Sequence, residues 1–299
     1  MAHALQVRRP AFQFDEHTPF QWNPDNPEHA VEMNAITFAA PAFERYIVAT
    51  VRKALPDIAD PEVREEADLF LRQEAVHARA HRNHSEALVK QYPGLADVVR
   101  ELDAEYDKLF AARPLAYHLA YVADIEATFT PAFGQLLNHR DTLFDNGDPR
   151  VASLFLWHFT EEIEHRSSAL KIYDAIVPSK WYRLRVAPSV IAHTSRMQQI
   201  ALRGFQAHVP AAERGVEISQ LRSTPRQAPA RIFRRGGTDP LRGVPLSERL
   251  TVALRLLRTQ WPGHNPGNER LPAFAAEWLR GYDEGRDVVN WYADTRRAG

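Results

Sequence analysis

The sequence predicts an all-α protein, a four-helix bundle with additional C-terminal helices. Three observations carry that expectation. Apolar residues recur three and four positions apart through most of the chain, the period of a helix with one buried face. No segment alternates apolar and polar residues as a half-buried strand does. Asp-Pro pairs and lone prolines fall where one periodic stretch ends and the next begins, which are helix start and stop signals. With 299 residues the chain can bury a large core.

Residues 1–28 hold Phe12, Phe14, Phe20, Trp22, Pro24 and Pro27 without a sustained period and read as an ordered, irregular arm. The first helix is expected at about 29–54, where Met33, Ile36, Phe38, Phe43, Ile47 and Val51 share a face and Pro41 marks a kink or a new first turn. Asp60-Pro61-Glu62 supplies an N-cap, a first-turn proline and an acidic start for a second helix that stops near Pro93. A shorter charged helix follows over 95–111, a third long helix over 114–138, and a fourth over 150–176, opened by Asp148-Pro149 and ended by Pro178. A further helical segment covers about 181–206. Residues 209–246, rich in Pro and Arg and including Phe233, read as an extended connection, and helices at about 247–258 and 271–296 close the chain. The expected organisation is an arm (1–28), a helical bundle (29–208), a connection (209–246) and C-terminal helices packed on the bundle (247–299).

Composition removes several chemistries. The absence of Cys excludes disulfides, thiolate catalysis and iron–sulfur clusters, and fits a reducing, cytoplasmic location. The 37 Lys and Arg balance 38 Asp and Glu, so the chain carries no overall field for nucleic acid, and a small-molecule partner is expected. No glycine-rich phosphate loop follows a strand. No secretory signal stands at Met1–Phe14, and no apolar run approaches the length of a transmembrane helix.

Any metal must therefore be held by His and carboxylates, and of 13 His several stand beside Glu at helical spacing. The second helix contains Gln73-Glu74-Ala75-Val76-His77 and the fourth Glu161-Glu162-Ile163-Glu164-His165, each presenting a carboxylate and an imidazole three residues apart on one face. A single Glu-x-x-His is common on exposed helices. Two of them, on helices long enough to lie side by side, form the pattern of ferritin-like dimetal bundles, which add one Glu from each of two other helices. The first and third helices supply Glu44 and Glu126, each among apolar neighbours where an unpaired carboxylate is costly. Glu32 is the rival on the first helix, but it lies near the helix start, where the dipole favours any carboxylate. His158, four before Glu162 and seven before His165, falls within about 60° of both on the helix and either joins the cluster or is a core histidine beside Trp157. His81 and His84 continue the stripe of His77 as supporting or surface residues. Four carboxylates offset two divalent ions, and imidazoles suit iron, manganese or zinc better than magnesium or calcium.

Around Glu44-Arg45-Tyr46, Gln73–His77, Ile125-Glu126-Ala127 and Trp157–His165 the sequence resembles a bacterial ferritin-like family described as predicted metal-dependent hydrolases, from Val7 to about Asp174 and again at Trp261–Pro266. The ligand set is similar to that of di-iron arylamine N-oxygenases. That resemblance implies Glu44, Glu74, His77, Glu126, His158, Glu162 and His165 as ligands of two Fe ions (Mn or Zn as alternatives), with O2 as co-substrate and an external electron donor. Gln73 and Glu161 are candidates to orient the neighbouring histidines. Phe38, Phe43, Phe129, Phe133 and Trp157 are candidates to line a substrate pocket, and Tyr117 and Tyr121 to support the site. An O2-activating oxidase or oxygenase acting on a small organic molecule is the leading expectation, with a binuclear hydrolase of an ester or phosphoester as the alternative. A metal-storing bundle fits poorly with the long C-terminal extension. A homodimer completes the expected partners.

Overall fold

The computed structural model describes residues 5–144, 146–221 and 239–292, and all regular structure among them is helical. Helix α1 spans Pro27–Ala54, with the Asn26 side chain accepting from the His29 N–H and proline in the first turn. Helix α2 spans Pro61–Gln91, and Asp60 accepts from the N–H groups of Glu62 and Val63. Helices α3 (Leu95–Ala112) and α4 (Leu115–Asn138) follow. Helix α5 spans Pro149–Glu164 behind Asp148, which accepts from Arg150 and Val151. Next come α6 (Ser168–Ile176), α7 (Trp181–His208), α8 (Leu246–Thr259) and α9 (Ala273–Asp283). The helix starts written as Asp-Pro in the sequence are thus true caps.

Helices α1 and α2 form the most extensive pair, α4 lies against α5 and α6, and α1 meets α4 while α2 meets α5 and α6. These contacts close a ring of four long helices. Outside it, α3 and α7 pack on each other and on α1, and α7 also covers α4. The C-terminal α8 lies against α4, and α9 against α4 and α5. The arm has no helix from Leu5 to Asp25, yet it buries Arg8, Phe12, Phe20 and Trp22. No described helix is long and apolar enough to cross a membrane.

Two expected elements differ. The helix expected over 150–176 is two helices, because the chain turns at His165–Ser167. Arg166 makes the break tolerable: its guanidinium donates to the freed carbonyl of Ile163 (2.8 Å) and to that of Pro266 (3.1 Å). The last helix, expected over 271–296, ends at Asp283, where Gly285 turns the chain with φ +88°, a conformation that favours glycine. Pro41 does not open a second segment: α1 runs through it. Of the expected connection over 209–246, residues 211–214 and 218–221 form single helical turns, whereas 222–238, with Pro225, Pro229 and Phe233, lie outside the described residues, as do 293–299.

Candidate metal centre

Helix α1 brings Glu44, α2 brings Glu74 and His77, α4 brings Glu126, and α5 brings His158 and Glu162, with His165 as its C-cap. All seven are buried. Their donor atoms converge in two groups of four, Glu44, His77, His158 and Glu162 in one, and Glu74, Glu126, Glu162 and His165 in the other, with each group's atoms within 4.8 Å of one another. Glu162 belongs to both. Its Oε1 lies 2.8 Å from His158 Nε2 and 3.2 Å from His77 Nδ1, while its Oε2 lies 3.0 Å from His165 Nε2. Glu44 Oε1 approaches His158 Nε2 at 3.3 Å, and Glu74 Oε1 and Glu126 Oε2 approach His165 Nε2 at 3.2 and 3.5 Å.

Each imidazole is held from behind. His77 Nε2 lies 2.9 Å from Glu161 Oε2, leaving Nδ1 toward the cluster. His165 Nδ1 lies 3.1 Å from Gln73 Oε1, and His158 Nδ1 lies 2.8 Å from His81 Nε2, so both present Nε2. The supports are themselves anchored. Arg8 Nη1 donates to Glu161 (2.9 Å) and Glu164 (2.7 Å), and Gln73 Nε2 donates to Glu164 (3.1 Å). Thr37 Oγ1 lies 3.1 Å from both His81 Nδ1 and His84 Nδ1. Such outer contacts fix the tautomer and orientation of a metal-ligating histidine.

The electrostatics fit cations. Glu44 Oε2, Glu74 Oε2 and Glu126 Oε1 are buried without a hydrogen-bond partner, and Glu74 Oε1, Glu126 Oε2 and His77 Nδ1 meet only the neighbours named above, out of hydrogen-bond geometry. A buried carboxylate in that condition is costly unless a cation meets it. Burial pushes the Glu44 and Glu74 carboxyls well up, with added repulsion from Glu162, and burial with the same repulsion takes Glu126 to about 7. Glu162 runs the other way: burial opposes its charge, but His165, His158 and His77 outweigh that and hold it well down. His77 and His165 are raised against the cost of burial by Glu161 and Glu162 for the first, and by Glu162 and Glu126 for the second. Without metal, then, protons on imidazoles and carboxyls supply the positive charge that the four buried carboxylates demand.

A family model described as predicted metal-dependent hydrolase matches residues 6–233. The chain belongs to this predicted metal-dependent hydrolase family. The match runs well beyond Asp174, where the sequence resemblance was placed, and stops before Trp261–Pro266. No curated protein and no solved structure matches the chain. In this member of the family, the buried carboxylate and histidine groups could hold metal ions.

A groove of about 450 Å3 opens onto one end of the cluster. It runs between α1, α4 and α7, and of the seven convergent residues only Glu44, His158 and Glu162 line it. Phe43, Phe129 and Phe133 line it as anticipated, joined by Tyr106 of α3. Phe38 and Trp157 do not: Phe38 packs on Phe205 at 5.2 Å between ring centres, and Trp157 on His77 at 5.0 Å. Tyr117 and Tyr121 stay outside it as well, their hydroxyls bonded to Ser189 (3.0 Å) and His193 Nδ1 (2.9 Å). His81 and His84, which the sequence left between supporting and surface roles, are fully buried. Glu32 takes no part in the cluster and accepts a hydrogen bond from Gln198 Nε2 (2.6 Å) at the groove wall. Arg8, Thr37 and Glu164 were missed as supports. Only Glu164 carried a signal, its place inside the second Glu-x-x-His stretch.

Proposed function

We propose that the protein is a binuclear metal enzyme, with iron as the favoured metal, that activates O2 to oxidise a small organic molecule. The supporting observation is the shared Glu162: two buried groups of mixed carboxylate and imidazole donors meet at one carboxylate, under an apolar groove. Glu44, His77, His158 and Glu162 would hold one ion, and Glu74, Glu126, Glu162 and His165 the other. Two such ions, when bound, would supply the redox chemistry or Lewis acidity of the reaction.

The chain's own residues do the rest. The Glu44–His158 side faces the groove, so substrate would meet that half of the centre, while Glu74, Glu126 and His165 stay sealed behind it. Phe129 and Phe133, stacked at 4.6 Å, and Phe43 exclude water from the approach. Glu161 and His81 keep His77 and His158 in one tautomer, and Gln73 does the same for His165.

The family description favours a second reading, hydrolysis, in which the same two ions would polarise an ester and activate water. Anaerobic loading with Fe(II), a metal count per chain, and mixing with O2 under optical observation separates the two. Two irons per chain and an O2-dependent charge-transfer band support oxidation. Tight Zn or Mn binding with no response to O2 overturns it in favour of hydrolysis, and ester panels follow.

A further inference from the structure

The groove selects its occupant by charge and shape, and we infer that its substrate is an elongated, mainly apolar molecule without negative charge. This rests on the two-metal reading only in taking the Glu44–His158 end as the place of reaction. On α1 the lining runs from Glu32 to Glu44. Twelve residues of helix extend roughly 18 Å along the axis, so the groove follows more than three turns of α1. The groove is therefore elongated along α1, a shape that suits an extended molecule.

Its walls are Met33, Ile36, Phe43, Ile125, Phe129 and Phe133, with Thr128, Thr194, Ser195 and Gln198 as the uncharged polar groups. No Lys or Arg lines it among the described residues, and its ionisable side chains are Glu32, Glu44, Glu162, His158 and Tyr106. A carboxylate or phosphate entering this groove would leave water without a cationic side chain to receive it, and at the Glu44–His158 end the charge of two divalent ions would already be offset by the four carboxylates of the centre. A neutral hydroxyl, carbonyl or amide gives up far less hydration and finds the hydroxyls of α7. Width is set by small residues. Ala35 and Ala39 stand one turn apart on the groove face of α1, and Ala39 is only half-buried, so a larger side chain there can occupy the groove without entering the core.

Binding can be read without turnover, on Fe(II)-loaded protein under argon, by calorimetry with two probes sharing one apolar body. Phenylbutanol is expected to bind at least tenfold more tightly than phenylbutyrate. Ala39→Phe is expected to weaken phenylbutanol at least tenfold while retaining two irons per chain and the wild-type helical circular dichroism. Equal or tighter binding of phenylbutyrate, no binding of phenylbutanol, or an Ala39→Phe protein that binds phenylbutanol like wild type overturns the inference. Since no O2 is present, these results stand whichever way the O2 experiment falls. Phosphoester hydrolysis would be set aside by the expected outcome, whereas neutral esters would remain.

Discussion

At the scale of single residues, the seven convergent side chains make unequal claims on metal. Glu162 offers one oxygen to each group, and Glu74, Glu126 and His165 serve one group alone. Glu162→Ala is therefore expected to drop the metal content well below one per chain, whereas His165→Ala and His158→Ala each leave roughly one. His81→Ala keeps close to two, because it removes only the partner of His158 Nδ1, and shows itself as a loss of affinity of about 10–100-fold at one site. Elemental analysis after gel filtration, with competition by a chelator for the affinities, checks the series. An equal loss in all four variants would break the assignment. Four of these positions, Glu74, His77, Glu162 and His165, were readable in the sequence because the constraint is local: two donors three residues apart on one helix share a face whatever the surroundings. Glu44 and Glu126 stood out only as lone carboxylates among apolar neighbours, and His158 joined the set only through the family resemblance. Arg8 lies in an arm without a period, and its partners, Glu161 and Glu164, are more than 150 residues away, so nothing nearby in sequence announced it.

At the scale of elements, capping chemistry located the helix starts and close packing decided what they touch. Asp60-Pro61 and Asp148-Pro149 were legible because N-cap and first-turn proline are local preferences that survive folding. The break at His165 was not legible, since the periodicity continues across it and the compensating donor is a side chain, Arg166, reaching back to Ile163 and across to Pro266. The groove was legible only in part: Phe43, Phe129 and Phe133 were anticipated in its lining, but its course is a property of five helices together. Where α7 crosses α3, Gly204 sets the approach: a Cβ built there would lie 2.0 Å from Val98 Cγ2. Val98 is buried and β-branched, so it has little freedom to withdraw. Gly204→Ala is expected to gain about 1 kcal/mol in helix propensity and to lose about 1–3 kcal/mol to overpacking. The balance is destabilising, by about 1 kcal/mol in urea unfolding. Adding Val98→Ala should remove the penalty caused by the glycine replacement itself, so that Gly204→Ala becomes neutral or favourable in that background. A Gly204→Ala protein as stable as wild type would show that the two helices can separate at no cost.

At the scale of the whole molecule, the arm, the bundle and the C-terminal helices meet on one guanidinium. Arg8, buried, donates to Glu161 and Glu164 of α5, and its Cζ lies 5.0 Å from the ring of Tyr282 and 5.8 Å from that of Trp278, both on α9. Arg8→Gln should then act at a distance, leaving Glu161 less firmly held behind His77 and lowering metal affinity at the groove-facing group by about 10–100-fold. The chelator competition used for His81→Ala reads it, and unchanged affinity would confine Arg8 to tying the termini down. A second whole-molecule property is set by buried neutral histidines away from the cluster. Burial holds His29 down at about 4, against an ordinary 6.5, with Trp22 and Phe144 packed on its ring. The unfolded chain takes up a proton below pH 6.5 that the folded chain refuses until about pH 4. The stability this histidine contributes is thus complete above 6.5 and lost as pH falls toward 4, at about 1.4 kcal/mol per pH unit. Replacing it with an apolar ring, His29→Phe, removes that uptake. In metal-free protein, urea unfolding between pH 7 and 5 should show wild type losing about 2 kcal/mol more than His29→Phe. The titrating carboxylates and imidazoles of the cluster are common to both chains and cancel in the comparison. Parallel pH profiles would mean that the backbone hydrogen bond of His29 to Pro240 offsets its burial and holds the proton in the folded state well above pH 4.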